Sequence, residues 1–271
     1  MNDLQIRAIT GIVLAVLVLG ATLAGGWMFS VFAAAVAMVV WSEWMDITCP
    51  NSDDRLRLLG YVLLGAIFVL SLFSSDEQLV LGGAALLAAA VITVRSISSL
   101  RWPSAGLVYA GGTVIALICL RNSPAPWSGL TAILFLYATV WATDIGAYFA
   151  GRAIGGPKIA RPISPNKTWA GSVGGATSAV VAGIVVFYFA GLQNYGVAAA
   201  LAATLSVVSQ AGDFFESWIK RRHGLKDSSR ILPGHGGVMD RVDGLVFAAL
   251  ALWLLGVAWA GIADPASAFF R

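Results

Sequence analysis

From Ser217 to Asp243 the chain reads SWIKRRHGLKDSSRILPGHGGVMDRVD. Five basic residues, Lys220, Arg221, Arg222, Lys226 and Arg230, lead into a Pro-Gly turn. Gly236 and Gly237 follow, then two carboxylates three apart, Asp240 and Asp243. Cations, backbone N–H groups that glycine leaves accessible, and carboxylates able to hold a hard divalent ion are what a polyphosphate with its metal requires. Long apolar stretches flank the segment on both sides. Phosphate chemistry at a membrane face is therefore the first expectation.

Other residues extend this candidate site, each with a plainer alternative. Asp213, Glu216, Ser217 and Lys220 follow i, i+3, i+4, i+7 spacing and share one helical face. The stripe either lines an aqueous cavity or forms local pairs, Asp213–Ser217 or Glu216–Lys220, that solvate a helix end. Asp240 and Asp243 either bind metal or complement the dipole of the helix they open. Asp213 and Asp240 come from neighbouring helices through one loop and are expected to converge on a single ion. His235 has no second His at ligand spacing, so it reads as a phosphate hydrogen-bond donor before a loop-packing residue. In SPNKTWAG (164–171), Lys167 and Thr168 are candidate phosphate contacts and Trp169 stacks a base or anchors the loop at the interface. In WATDIGAYFAG, Asp144 is either a third metal carboxylate or the partner of a loop Arg, and Gly146 and Gly151 allow close helix packing. Oxygen donors without thiolates or paired imidazoles favour Mg2+ or Mn2+. The phosphate-binding, dinucleotide and nucleophile-elbow motifs of soluble enzymes are absent from the sequence.

The elements that position these groups are membrane helices. The chain is 58% hydrophobic and 11% charged, whereas a soluble domain carries about a quarter charged residues. An all-α, polytopic bundle is expected, with nine helices at about 8–24, 27–45, 58–73, 79–94, 105–121, 129–150, 171–191, 196–218 and 243–262. With the N-terminus and Arg7 cytoplasmic, Arg55, Arg57, Arg95, Arg101, Arg152, Lys158, Arg161, Lys167 and the 220–241 basic group share that face, leaving Arg121 and Arg271 opposite. Ionisable residues within apolar segments concentrate after residue 125, which divides the chain into an N-terminal scaffold (1–125) and a catalytic region (126–271) with cytoplasmic loops 151–170 and 219–242. Cys49 and Cys119 fall near opposite faces and are not expected to pair.

At this point the residues carry a resemblance. Ser217, Lys220-Arg221, Lys226-Asp227, Pro233, His235-Gly236-Gly237 and Asp240-Arg241-x-Asp243 resemble the signature of the CDP-diacylglycerol synthases, or phosphatidate cytidylyltransferases. SPNKTWAG and WATDIGAYFAGR resemble two further segments of that family, so the match spans about residues 140–245. The resemblance implies that CTP and phosphatidate give CDP-diacylglycerol and pyrophosphate with Mg2+. It places Asp213 and Asp240 at the metal, with Asp144 and Asp243 completing or orienting the site. It puts Lys167, Lys220, Arg221, Lys226, His235, Gly236 and Gly237 around the triphosphate and Arg241 at the lipid phosphate. The implied setting is a bacterial inner membrane with the site facing the cytoplasm. Partners are then the two substrates and the bilayer, not nucleic acid, with a homodimer left open. Two alternatives stand beside it: a CTP-dependent polyprenol or dolichol kinase, and a transporter with buried carboxylates.

Overall fold

The computed structural model describes residues 3–97 and 101–271. Residues 98–100, inside the expected Arg95–Ser104 breaker, and the Arg7 side chain lie outside that description. Among the described residues the chain forms nine α-helices: α1 (Asp3–Ala24), α2 (Gly26–Thr48), α3 (Asp54–Phe73), α4 (Asp76–Ile97), α5 (Trp102–Arg121), α6 (Pro126–Ile154), α7 (Trp169–Phe189), α8 (Tyr195–Arg222) and α9 (Met239–Ala260). The protein is thus an all-α polytopic membrane protein, with α2–α9 long and apolar enough to cross a bilayer and α1 contributing the shorter apolar stretch Ala8–Ala24. Most helices run a few residues beyond the expected bounds, because polar first and last turns that an apolar pattern does not register continue the helix, in some cases held by a side-chain cap. Asp53 accepts the Arg55 N–H at the start of α3, and Asn194 accepts the Val197 N–H at the start of α8.

The 151–170 segment differs from a plain loop. Helix α6 continues to Ile154, and a two-stranded antiparallel hairpin follows, β1 (Lys158–Ala160) and β2 (Ser164–Thr168). Thr168 ends the hairpin and caps α7, its Oγ accepting the Gly171 N–H at 3.1 Å.

The bundle has two distinct ends. At one, α2, α5 and α8 are tied together by Trp44 Nε1 donating to Trp102 O (2.9 Å), and by Trp102 packing on Trp218 and His223. The α2–α3, α4–α5, α6–α7 and α8–α9 connections all lie here, and with them the expected basic face. Tyr109, Phe215 and Phe247 extend the aromatic packing inward. The other end holds Arg121, Ser123 and the short 3-10 helix Pro265–Ala268, joined by Ser123 Oγ donating to Asp264 (2.6 Å). Cys49 and Cys119 lie toward opposite ends, both buried and unpaired.

The α6–α7 contact is the closest in the bundle, as Gly146 and Gly151 lead one to expect. A Cβ on Gly146 would collide with Ser178, and one on Gly171 would lie 2.9 Å from Ala147 O. Apolar residues such as Ile12, Val16, Leu58, Val173 and Phe189 are exposed on the outside. Without water in the hydrocarbon to drive helices together, small residues that let backbones approach hold such a pair.

Candidate active site

Two charged constellations lie at the basic end of the bundle. In the first, Asp144 of α6, Asp213 of α8 and Asp243 of α9 lie within electrostatic reach of one another, together with Lys167 of β2. Lys167 forms an ion pair with Asp213 and lies over the Phe214 ring, 4.5 Å from its centroid. Arg241 also acts on Asp144. The backbone brings these groups together. Gly212 lets α9 approach α8 so closely that a Cβ there would sit 2.7 Å from Asp243 O. Beneath Asp144 and Asp213, Thr143 donates to Ser206 (2.9 Å), and Gln210 spans to Ser172 O (3.4 Å), fixing α6, α7 and α8 in register. Asp144 is exposed, and Asp213 and Asp243 are half-buried, so the cluster is reachable by a ligand.

The second constellation organises the loop between α8 and α9. Asp240 Oδ1 accepts from Lys220 Nζ (2.6 Å) and the Ser228 N–H (3.2 Å), and Oδ2 accepts from the Ser228 (3.1 Å) and Gly237 (2.9 Å) N–H groups. Lys220 is buried between Asp240 and Glu216, pairing with Glu216 at 2.7 Å. In this conformation Asp213 and Asp240, the pair expected at one ion, belong to different sets. Asp240 spends both oxygens on the loop, whereas Asp213 stands with Asp144 and Asp243.

The remaining candidates fall around these two sets. The Gly236 N–H donates to Leu232 O and the Gly237 N–H to Asp240, so neither is free for phosphate in this conformation. His235 is half-buried against Gly11 of α1, and its carbonyl accepts from Arg241 Nε (3.1 Å) and Nη2 (2.9 Å). Arg221 and Lys226 are exposed, Arg221 reaching Leu225 O (3.0 Å). Thr168 is a helix cap rather than an open contact, and Trp169 is exposed beside it. The Glu216–Lys220 and Asp213–Ser217 pairs of the helical stripe both form, the latter at 3.5 Å.

Sequence reading missed Glu43. It sits in the last two turns of the apolar helix α2, 0% exposed. Its Oε1 accepts from Ser229 Oγ (2.5 Å) and the Val238 N–H (2.9 Å), and its Oε2 from Ser228 Oγ (3.2 Å) and the Met239 N–H (2.6 Å). Val238 is the N-cap of α9 and offers no side-chain cap. A carboxylate from another helix thus satisfies two of the orphan N–H groups at that terminus. The available signal was the carboxylate itself, inside the apolar run WSEWMD.

Gly237 is the residue on which the two halves of the loop close. A Cβ there would overlap Ser228 Oγ and come 2.7 Å from Glu43 Oε1. Gly237→Ala is expected to lower the thermal unfolding temperature and to reduce turnover at least tenfold. Wild-type values on both measurements would remove the loop from the active architecture.

Among the described residues, no group of three or more His, Cys, Asp or Glu side chains is placed to hold a metal ion in this conformation. The first constellation nonetheless has the chemistry for one. Three carboxylates close together repel unless cations lie among them, and Lys167 presently supplies one such charge. Hard oxygen donors with an exchangeable ammonium fit Mg2+ or Mn2+.

A helical membrane bundle that gathers carboxylates, lysine and arginine at one end, with a loop built to hold them, defines an intramembrane enzyme of phosphate chemistry. Residues 5–259 match the cytidylyltransferase family, and the chain belongs to it; it is a nucleotidyltransferase. Along its whole length it is similar to the phosphatidate cytidylyltransferase of Brucella suis biovar 1 (strain 1330), 43% identical over 270 residues that cover 100% of this chain and 99% of that protein. The phosphatidate cytidylyltransferase of Pseudomonas aeruginosa is 35% identical over 93% of this chain and 98% of its own. That of Bacillus subtilis (strain 168) is 31% identical over 94% and 98%.

Proposed function

We propose that this chain transfers the cytidylyl group of CTP to phosphatidate, forming CDP-diacylglycerol and pyrophosphate. The observation that carries the proposal is the Asp144–Asp213–Asp243 cluster with Lys167 and Arg241, set at the end of a bundle that belongs to the cytidylyltransferase family. In this reaction a phosphatidate oxygen bonds to the α-phosphorus of CTP, and the bond from that phosphorus to the bridging oxygen of pyrophosphate breaks. The attacking oxygen is already anionic, so no general base is needed. The barrier lies in bringing two polyanions together in line.

Asp144, Asp213 and Asp243 would hold the divalent ion, which when bound supplies charge neutralisation to the phosphates. Lys167 exchanges its Asp213 partner for a triphosphate oxygen, its path set by the rigid hairpin and the Phe214 face. Arg221 and Lys226, exposed on the same face, neutralise the leaving pyrophosphate. Arg241 is held by the His235 carbonyl within reach of Asp144, a place suited to the lipid phosphate. Lys220 acts from behind, fixing Asp240 and hence the first turn of α9, which also presents Asp243.

The test is purified protein in detergent with labelled CTP and phosphatidate. CDP-lipid and pyrophosphate are the expected products. A phosphorylated lipid with CDP would instead support a lipid kinase. Exhaustive chelation should abolish turnover, and Mg2+ or Mn2+ should restore it; full activity after chelation would exclude the metal assignment.

The site is further proposed to face the cytoplasm across a bacterial inner membrane. The support is that Arg55, Arg57, Arg101, Arg152, Lys158 and Arg161 gather at the end that holds the carboxylates. Single cysteines introduced near each terminus should label from opposite sides of the membrane. Labelling of both from one side would contradict nine crossings.

A further inference from the structure

At the end of the bundle opposite the carboxylates, Arg121 closes α5 and is only 7% exposed. Its Nε donates to Thr22 O (2.6 Å) and its Nη2 to Leu23 O (3.4 Å), the last carbonyls of α1. Among the described residues its Nη1 has no acceptor and no carboxylate pairs with it. A buried guanidinium without a counter-ion is costly, and two backbone carbonyls offset only part of that cost. A helix C-cap alone would not need what surrounds it. A cavity of about 430 Å3 opens on the guanidinium, bounded by Leu23, Ala24, Asn122, Pro126, Trp127 and Leu130 among others. Gly25, at φ +62°, lets the guanidinium pack directly on the backbone, since a Cβ there would run into it.

Two further features give the cavity a chemical preference. The N-terminus of α2 lies in its wall, with Gly25 and Gly26 lining the cavity and no side chain capping that terminus. Its first N–H groups and helix dipole favour an anion. Asn122 donates through Nδ2 to Ser30 Oγ (3.2 Å) and Gly26 O (3.5 Å), which steadies that terminus. The wall therefore offers positive donors, and its lining residues include no carboxylate. At the rim, Trp127 is 80% and Leu23 64% exposed, an amphipathic and apolar border at membrane-interface height.

We propose that this cavity binds the headgroup of an anionic phospholipid, its phosphodiester on Arg121 and the α2 N-terminus. The site is distinct from the carboxylate cluster and lies in the leaflet on the other side of the membrane. It would make one structural lipid part of the α1–α2 and α5–α6 junctions. The chemistry is that of a phosphodiester with a net negative charge, and the acyl chains lie outside along Trp127 and Leu23.

The test is native mass spectrometry of the full chain in detergent, titrated with dioleoylphosphatidylglycerol, dioleoylphosphatidylcholine and chain-free glycerophosphoglycerol. One phosphatidylglycerol should bind the wild-type chain at least tenfold more tightly than phosphatidylcholine, whose choline cation cancels the phosphate charge and is repelled by Arg121. Arg121→Gln removes the charge but also loosens α1. Ala24→Glu is the cleaner variant, because it keeps Arg121 and supplies an internal carboxylate at the cavity edge. Ala24→Glu should weaken phosphatidylglycerol binding at least tenfold while leaving the unfolding temperature and CTP turnover unchanged. Tight binding of the chain-free headgroup would assign the same site to a soluble phosphodiester and overturn the lipid assignment. Equal phosphatidylglycerol affinity in wild type, Arg121→Gln and Ala24→Glu would overturn the site.

Discussion

Asp213→Asn is expected to leave the protein inserted and folded and to lower CTP turnover about a hundredfold or more. Asparagine keeps the size and one oxygen of the side chain. It loses the charge that draws a divalent ion and that restrains Lys167. Loss of one preorganised electrostatic contact of this kind commonly costs about 10²–10³ in rate. Asp243→Asn should behave alike, since Asp243 shares the cluster and its Oδ1 otherwise accepts only the neighbouring Gly244 N–H (2.8 Å). Asp240→Asn is the informative contrast. Its amide would place donors against Lys220 and the Gly237 or Ser228 N–H groups, so turnover and thermal stability should fall together. Matched expression and unfolding temperatures separate the two patterns. Wild-type turnover in Asp213→Asn at saturating CTP and Mg2+ would remove Asp213 from the reaction. Loss of folding in both Asp213→Asn and Asp243→Asn would make the cluster a structural ion-pair network.

Glu43→Gln should produce the largest loss of stability for a single change outside the carboxylate cluster. All four lone-pair directions of the Glu43 carboxylate are filled by donors from the α8–α9 loop and the start of α9. Glutamine turns one acceptor oxygen into an NH2 group facing two donors. A buried donor left without its acceptor in this way costs about 1–3 kcal/mol. Because α9 carries Asp240 and Asp243 in its first turns, turnover should fall at least tenfold as well. Limited proteolysis within residues 223–237 should accelerate. If unfolding temperature, cleavage rate and turnover all remained as in wild type, Glu43 would not hold the loop.

These two expectations draw on different sources. Asp213 and Asp243 were legible because a carboxylate inside an apolar helix is rare enough to be read residue by residue. The same logic applied to Glu43, yet the buried one of the two carboxylates in WSEWMD was passed over in favour of the denser C-terminal half. Its partners, Ser228, Ser229, Val238 and Met239, lie more than 180 residues away in the chain. No periodicity connects them.

By itself the sequence determined that the chain is a helical membrane protein, where its helices fall, that Gly146 and Gly151 pack closely, and that its carboxylates and cations gather at one end. Those properties depend on hydrophobic length, local charge and small residues, which act over one or two helical turns. Only the tertiary structure decided which carboxylates stand together. Asp213 and Asp240 look equivalent in a linear reading, each near a turn between the same two helices. The close approach of α8 and α9 at Gly212 sets Asp243, not Asp240, among the carboxylates of α6 and α8. The buried Lys220 then turns Asp240 inward to the loop, because a charge taken out of water must find its partner at hydrogen-bond distance.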